Sequence, residues 1–215
     1  MSLLLYGIVM ENAQFLVEPT ISLISAVGLT ALVTNCDTEI SREPAIVLAF
    51  GEQVMQIHQQ TTLIPMRYGS ILKNDDEVKG LLHKHQVHYQ ELLVEFNNCE
   101  EIGIRLSFEL MTDNAIPLQQ SVTGHNYLLA RKRAYAIPEH IEQQAEILNN
   151  KLTGLYRQRC AAMSVFNGQQ TYLLSYLVPR NELSAFRERF LELMSIIGGT
   201  TAISGPWPPY NFASE

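Results

Sequence analysis

The chain has 215 residues, 47% hydrophobic and 17% charged, with a formal net charge of −7. That composition is enough to bury a substantial core, as one large domain or two small ones, and is not that of a disordered chain. The acidic balance argues against phosphate-backbone binding, which requires a surface rich in Lys and Arg.

Residues 3–9 form a compact apolar run and predict a central strand buried on both faces. The same run lacks a basic leading region and a small-residue cleavage site, and it is too short to span a bilayer; no other run reaches spanning length, so a soluble protein is expected. Residues 18–27 read as a short helix with Pro19 in its first turn and Gly28 as its stop, and residues 29–34 as a second strand. Pro44 opens another helix through Phe50, Val54 and Ile57 to about Gln60, weakened by Gly51. Residues 63–69 look extended, with Pro65 at an edge or irregularity. Asn74 or Asp75 caps the next helix, in which Val78, Leu81, Leu82, Tyr89, Leu92, Leu93 and Phe96 keep the three-four spacing of an apolar stripe.

From Ile102 the pattern becomes strict alternation, with Ile104, Leu106, Phe108 and Leu110 apolar, which is a strand with one buried face. Residues 113–123 are a connector. Helical sequence resumes near Gly124, is interrupted or kinked at Pro138, and continues with Ile141, Ala145, Leu148, Leu152 and Leu155 on one face. Residues 159–166 and 170–178 predict two strands joined by a turn at Asn167 and Gly168. Asn181 caps a last helix carrying Leu183, Phe186, Phe190, Leu193, Met194 and Ile197, ended by Gly198 and Gly199, and residues 200–204 read as a final strand.

From Ile102 onward the order is strand, helix, strand, strand, helix, strand, the ferredoxin-like βαββαβ arrangement. The first half has similar ingredients in a less regular order. The expectation is an α+β chain in two domains: an N-terminal α+β domain over residues 1–100, a modified ferredoxin-like variant, and a C-terminal ferredoxin-like domain over 101–204. An extended Pro/aromatic tail follows over 205–215.

Chemistry-bearing patterns are weak. Cys36, Cys99 and Cys160 are odd in number and outside any CxxC pair, so neither a disulfide framework nor a thiolate metal site is indicated, and a reducing cytosol is the expected compartment. His85 and His88 are three apart and could face one ligand, but no Cys or carboxylate set completes a site, and His83 points elsewhere. Asp75, Asp76 and Glu77 are explained by a helix start, where the macrodipole favours negative charge. Arg131, Lys132 and Arg133 read as a solvated helix face. The chain lacks a Walker loop, a GxGxxG turn, HExxH and GxSxG, so no residue starts a catalytic argument. No cofactor, metal or catalytic residue is assigned.

Two segments stand apart. In LIPMRYG (63–69) a single Arg67 lies between Met66 and Tyr68, where a guanidinium can stack or pair with a carboxylate of its own fold or of a partner. In GPWPPYNF (205–212) three prolines exclude a helix while Trp207, Tyr210 and Phe212 carry large apolar surface, which must dock on the chain itself or on a partner. Arg67, Tyr68, Trp207, Tyr210 and Phe212 are therefore the candidate partner-binding residues.

These segments also carry a resemblance. LIPMRYG resembles the L-P-M/V-R-F/Y-G motif of the gas vesicle protein F/L family (GvpF/GvpL), and LLLYGIV resembles its opening strand. TGHNYLLARK, LLSYLVPRNELSAFRERF and GPWPPYNF are similar to later signatures of that family, in the same order, with length and layout most like GvpF. The resemblance implies a non-enzymatic accessory or minor structural protein of the gas vesicle, a buoyancy organelle, in the cytoplasm. It implies the major shell protein GvpA as partner, with chaperone-like restraint of its aggregation and support of vesicle nucleation. Other accessory gas vesicle proteins are further implied partners, without nucleic acid or lipid membrane. The alternative is a small-molecule-binding enzyme on a ferredoxin-like scaffold, since that fold hosts many functions.

Overall fold

A computed structural model describes residues 2–37, 40–108, 137–166, 168–197 and 200–213. The chain is α+β, with two antiparallel sheets, and divides into two compact units. The first comprises residues 1–102, 177–180 and 205–215; the second comprises 103–176 and 181–204.

The first unit is built around β1 (Ser2–Met10), which pairs antiparallel with β3 (Leu29–Cys36) on one side and with β4 (Ile64–Pro65) and β5 (Ile71–Leu72) on the other. β2 (Ser22–Ala26) forms the outer edge beyond β3. β1 is buried on both faces, as its continuous apolar run predicts. Leu3, Leu5 and Ile8 enter one core with α2 (Asp75–Lys84) and α3 (Gln86–Phe96), whereas Leu4 and Val9 enter a second core under α1 (Pro44–Gln60). Simple alternation cannot place Leu5 and Ile8 on one face. The register skips one residue of β1 between Leu5 and Gly7, and this bulge restores the parity. Gly7 is required there, because a Cβ would stand 2.7 Å from the Ile64 carbonyl oxygen as β4 crosses it.

Residues 18–27 are not a helix, contrary to the sequence expectation. Val27 and Gly28 both have positive φ (50° and 79°), the geometry of a two-residue hairpin turn, so Gly28 closes β2 onto β3 instead of stopping a helix. Val-Gly is a poor turn signal on its own; Gln86 and Gln90 of α3 hold the turn by donating to the Val27 carbonyl. The predicted helix over the apolar stripe is present but bends at His85 (φ −110°, ψ 17°), which lets α2 lie over β2 and β3 while α3 lies over β1 and β4. The acidic run behaves as a helix start: Asn74 accepts from the Glu77 amide and Glu77 accepts from the Lys73 amide.

The second sheet has the order β7-β8-β6-β9, formed by β6 (Cys99–Phe108), β7 (Gln158–Phe166), β8 (Gln169–Pro179) and β9 (Thr200–Trp207). With α4 (Glu139–Leu152) between β6 and β7, and α5 (Leu183–Ile197) between β8 and β9, this is the ferredoxin-like topology that the element order predicts. Within the second unit the helices pack on one another, and Tyr176 of β8 meets Phe186 of α5 and donates to Asn149 of α4 at 2.7 Å. A 3-10 turn (Arg180–Glu182) precedes α5, so Asn181 lies inside that turn and its side chain donates to Glu182 instead of capping the helix. The connector at 113–123, the helical sequence from Gly124, the Arg131–Lys132–Arg133 cluster, Asn167 and the Gly198–Gly199 pair lie outside the described residues.

Candidate partner-binding site

The first two turns of α1 break the usual rule for a helix on a core. Its C-terminal half buries Phe50, Val54, Ile57 and His58, but residues 44–49 are exposed although every one is apolar. Leu48 is 66% exposed, and Ile46 and Val47 stand beside it in solvent. An apolar helical run left uncovered marks an interaction surface more often than a solvated face.

One wall facing this run comes from the far end of the chain. Residues 205–212 belong to the first unit and form a strap over it. Pro208 and Pro209 are buried, Tyr210 packs into the core under α1, and Phe212 packs into the core under α2 and α3. Trp207 remains 47% exposed. Val47, Leu48, Gly51, Glu52, Met55 and Gln56 of α1, with Trp207, Pro208 and Tyr210 of the strap, line an apolar groove of ≈ 460 Å³. That volume is in the range of sites that seat an apolar side-chain cluster. Gly51 contributes by absence: a Cβ there would meet nothing within 4 Å, so the space above this helical glycine is groove.

The strap is held by a buried carboxylate. Glu101, near the start of β6 and only 4% exposed, accepts from the Asn211 backbone amide at 2.9 Å through one oxygen and from the Asn211 side-chain amide through the other. Gly205 has φ +109°, and a Cβ on it would stand 2.6 Å from the Glu101 carbonyl oxygen, so the strap approaches β6 along a path open to glycine alone. Burial pushes the Tyr210 phenol up to about 12.

The adjacent Glu100 turns to the other face of β6 and makes a second buried cluster. Its carboxylate pairs with His58 Nε2 at 2.8 Å and with Arg180 Nε at 2.8 Å, while Arg180 Nη2 donates to the His58 carbonyl at 2.8 Å. A cation on a carbonyl of the last turn of α1 also complements the helix dipole. Neither cluster is legible as a motif. The available signal is two successive acids, Glu100 and Glu101, at the head of a strand, which must be paired if buried.

The sequence-derived candidates separate. Trp207 and Tyr210 line the groove, and Phe212 anchors the strap behind it. Tyr68 is half-buried, donates to the Ser41 carbonyl at 2.8 Å and sets its ring edge against Phe50. Arg67 is exposed at the head of a four-residue turn, where its carbonyl accepts from Ser70 and Gly69 supplies the positive φ; no carboxylate pairs with its guanidinium among the described residues. His85 and His88 both lie against the Tyr89 ring, and His83 Nδ1 is at 2.7 Å from the Lys79 carbonyl. Among the described residues no group of three or more His, Cys, Asp or Glu could hold a metal ion, and no helix is long and apolar enough to cross a membrane.

Fold and site together define a two-domain α+β protein, ferredoxin-like in its C-terminal part, with an apolar groove on its N-terminal part. Two crystal structures share that fold over their whole length. Gas vesicle protein GvpF from Microcystis aeruginosa has a TM-score of 0.72 at 15% identity, covering 100% of this chain and 99% of that one. GvpF from Anabaena sp. PCC7120 has a TM-score of 0.69 at 16% identity, covering 100% and 98%. Gas vesicle protein L1 of Halobacterium salinarum is 23% identical over 95% of this chain and 82% of its own length. A family model described as gas vesicle synthesis protein GvpL/GvpF matches residues 2–214, and the chain belongs to that family. Membership gives it a role in, and association with, the gas vesicle system.

Proposed function

We propose that this protein is a non-enzymatic assembly factor that binds the major gas vesicle shell protein GvpA in the groove between α1 and the strap. By covering apolar surface that the shell subunit exposes before assembly, it limits aggregation and supports vesicle nucleation, working in the cytoplasm and at the vesicle. The single observation that carries this reading is the uncovered apolar turn of α1 facing a half-exposed Trp207 across the groove. Large aromatic side chains in desolvated pockets dominate binding energy at such interfaces. The groove lining holds one carboxylate, Glu52, and no nucleophile or base pair from which a reaction could start. A net charge of −7 keeps a complex of two apolar surfaces dispersed by like-charge repulsion. Arg67, exposed on the same unit, is a second contact, and other accessory gas vesicle proteins are further partners.

The test is light scattering of purified GvpA with and without this protein. Delayed aggregation by the wild type, and loss of the delay in Leu48→Asp at unchanged melting temperature, is the expected result. Equal delay by Leu48→Asp would move the binding site elsewhere, and no delay by the wild type would end the reading.

A further inference from the structure

We infer that Glu101 is a positioning residue for the groove: through its double hydrogen bond to Asn211 it latches the strap, so that the wall carrying Trp207 stands ready before a partner arrives. Glu101 does not itself line the groove. The inference deepens the docking reading above and rests on it for its binding arm alone.

The geometry is specific. Both carboxylate oxygens of Glu101 face donors of one residue, the Asn211 backbone N–H and its side-chain NH2. A carboxylate that is 4% exposed must be satisfied or it destabilises the fold, and Asn211 is what satisfies it on the strap side. The strap between Gly205 and Asn211 has few ways to move while this pair holds. Its glycine is fitted against the Glu101 carbonyl, Tyr210 N–H donates to the Pro208 carbonyl at 2.7 Å, and Phe212 N–H donates to the Pro209 carbonyl. Trp207, Pro208 and Tyr210 are then presented to α1 as one rigid piece. A wall fixed in advance avoids the ordering cost that a loose aromatic segment would bring to binding.

The pair also allows an exchange of polarity. In Glu101→Gln, the Gln oxygen accepts the Asn211 backbone amide and the Asn211 side chain turns over to set its oxygen against the new NH2, so both bonds are kept without the charge. In Asn211→Asp, two carboxylates face each other. In the double variant Glu101→Gln/Asn211→Asp, the Gln oxygen accepts the residue 211 backbone amide and the Gln NH2 donates to the new carboxylate, so both bonds return.

Trp207 is the sole tryptophan, so its fluorescence and acrylamide quenching report the wall directly, without any partner. Asn211→Asp is expected to raise Trp207 quenching and to weaken GvpA binding about tenfold, the loss of roughly one charge-assisted hydrogen bond, whereas Glu101→Gln changes both readouts little. The double variant is expected to restore both readouts. Unchanged quenching in Asn211→Asp, or Asn211→Asp and the double variant equally impaired, would overturn the latch. If quenching rises in Asn211→Asp and returns in the double variant while GvpA binding is constant, the latch stands and the groove is not the docking site.

Discussion

The segments 63–69 and 205–212 look alike as sequence, each with glycine, proline and aromatic residues in an apolar frame, yet the fold uses them differently. The first is spent almost wholly inside: Leu63 and Ile64 are core, Tyr68 is tied to Ser41 and Phe50, and only Arg67 projects from the turn. The second is divided, with Pro208, Pro209, Tyr210 and Phe212 directed inward and Trp207 left half-exposed at the groove. A distinctive motif can therefore be distinctive for folding. Exposure of apolar area, more than unusual sequence, separates the surface that can meet a partner from the segment that holds the sheet together.

The largest effect that would sharpen this contrast is at Gly7, where 63–64 crosses β1. Gly7→Val places a side chain against the Leu63 side chain and the Ile64 carbonyl, and is expected to cost about 3 kcal/mol or more, read as failure to fold or a large drop in melting temperature. An unchanged melting curve would show that the first segment is less fixed than its packing implies. Next in size is the binding loss of Trp207→Ala, about 2 kcal/mol in GvpA affinity, against a smaller loss for the exposed Arg67→Ala, with neither shifting the melting temperature appreciably. A larger loss for Arg67→Ala would reverse the comparison and make the turn the principal contact.

Tyr68→Phe removes the donor to Ser41 and is expected to destabilise by about 1 kcal/mol without altering GvpA affinity, measured by denaturant titration. Gly51→Ala should move the two properties in opposite directions. It stabilises α1 by up to about 1 kcal/mol, since Ala is the better helix former and nothing obstructs its Cβ, while it narrows the groove and weakens binding. Improved stability with improved binding would mean that the space above Gly51 is not occupied by the partner. The smallest effect appears only in alkali. The Tyr210 phenol, raised by burial from 10.0 to about 12, contributes stability that is complete below pH 10 and lost as pH rises through about 12. Tyr6 and Tyr176 are shifted in the same direction, so Tyr210→Phe should remove part, not all, of the alkaline loss followed through Trp207 fluorescence.

The C-terminal topology was legible because periodicity switches cleanly there. Ile102 to Phe108 alternate, Ile141 to Leu152 keep helical spacing, and the hairpin pivots at Gly168. In the first half, β1 and α1 were legible from continuous and periodic apolar runs, but residues 18–27 were not. The Val27–Gly28 turn is imposed by pairing with β3 and by glutamines some sixty residues later, contacts to which local propensity is blind. Of the groove, the strap half was legible through Trp207 and Tyr210, whose apolar area had to be placed somewhere. The helix half was not, because Ile46, Val47 and Leu48 look like core residues in the sequence, whereas in the fold they are exposed. The latch was hidden because Glu101 and Asn211 are 110 positions apart, and neither type announces a partner at that distance.

Translation gives the strap a temporal meaning. The first unit takes Tyr210 and Phe212 into its cores, yet the whole of the second unit, residues 103–176 and 181–204, is synthesised before them. At ordinary synthesis rates that is an interval of roughly 5–20 s. Throughout it, α1 is already made while Trp207 and the residues that seat it are not. The groove proposed above as the docking site therefore has both of its walls only once residues 207–210 have emerged.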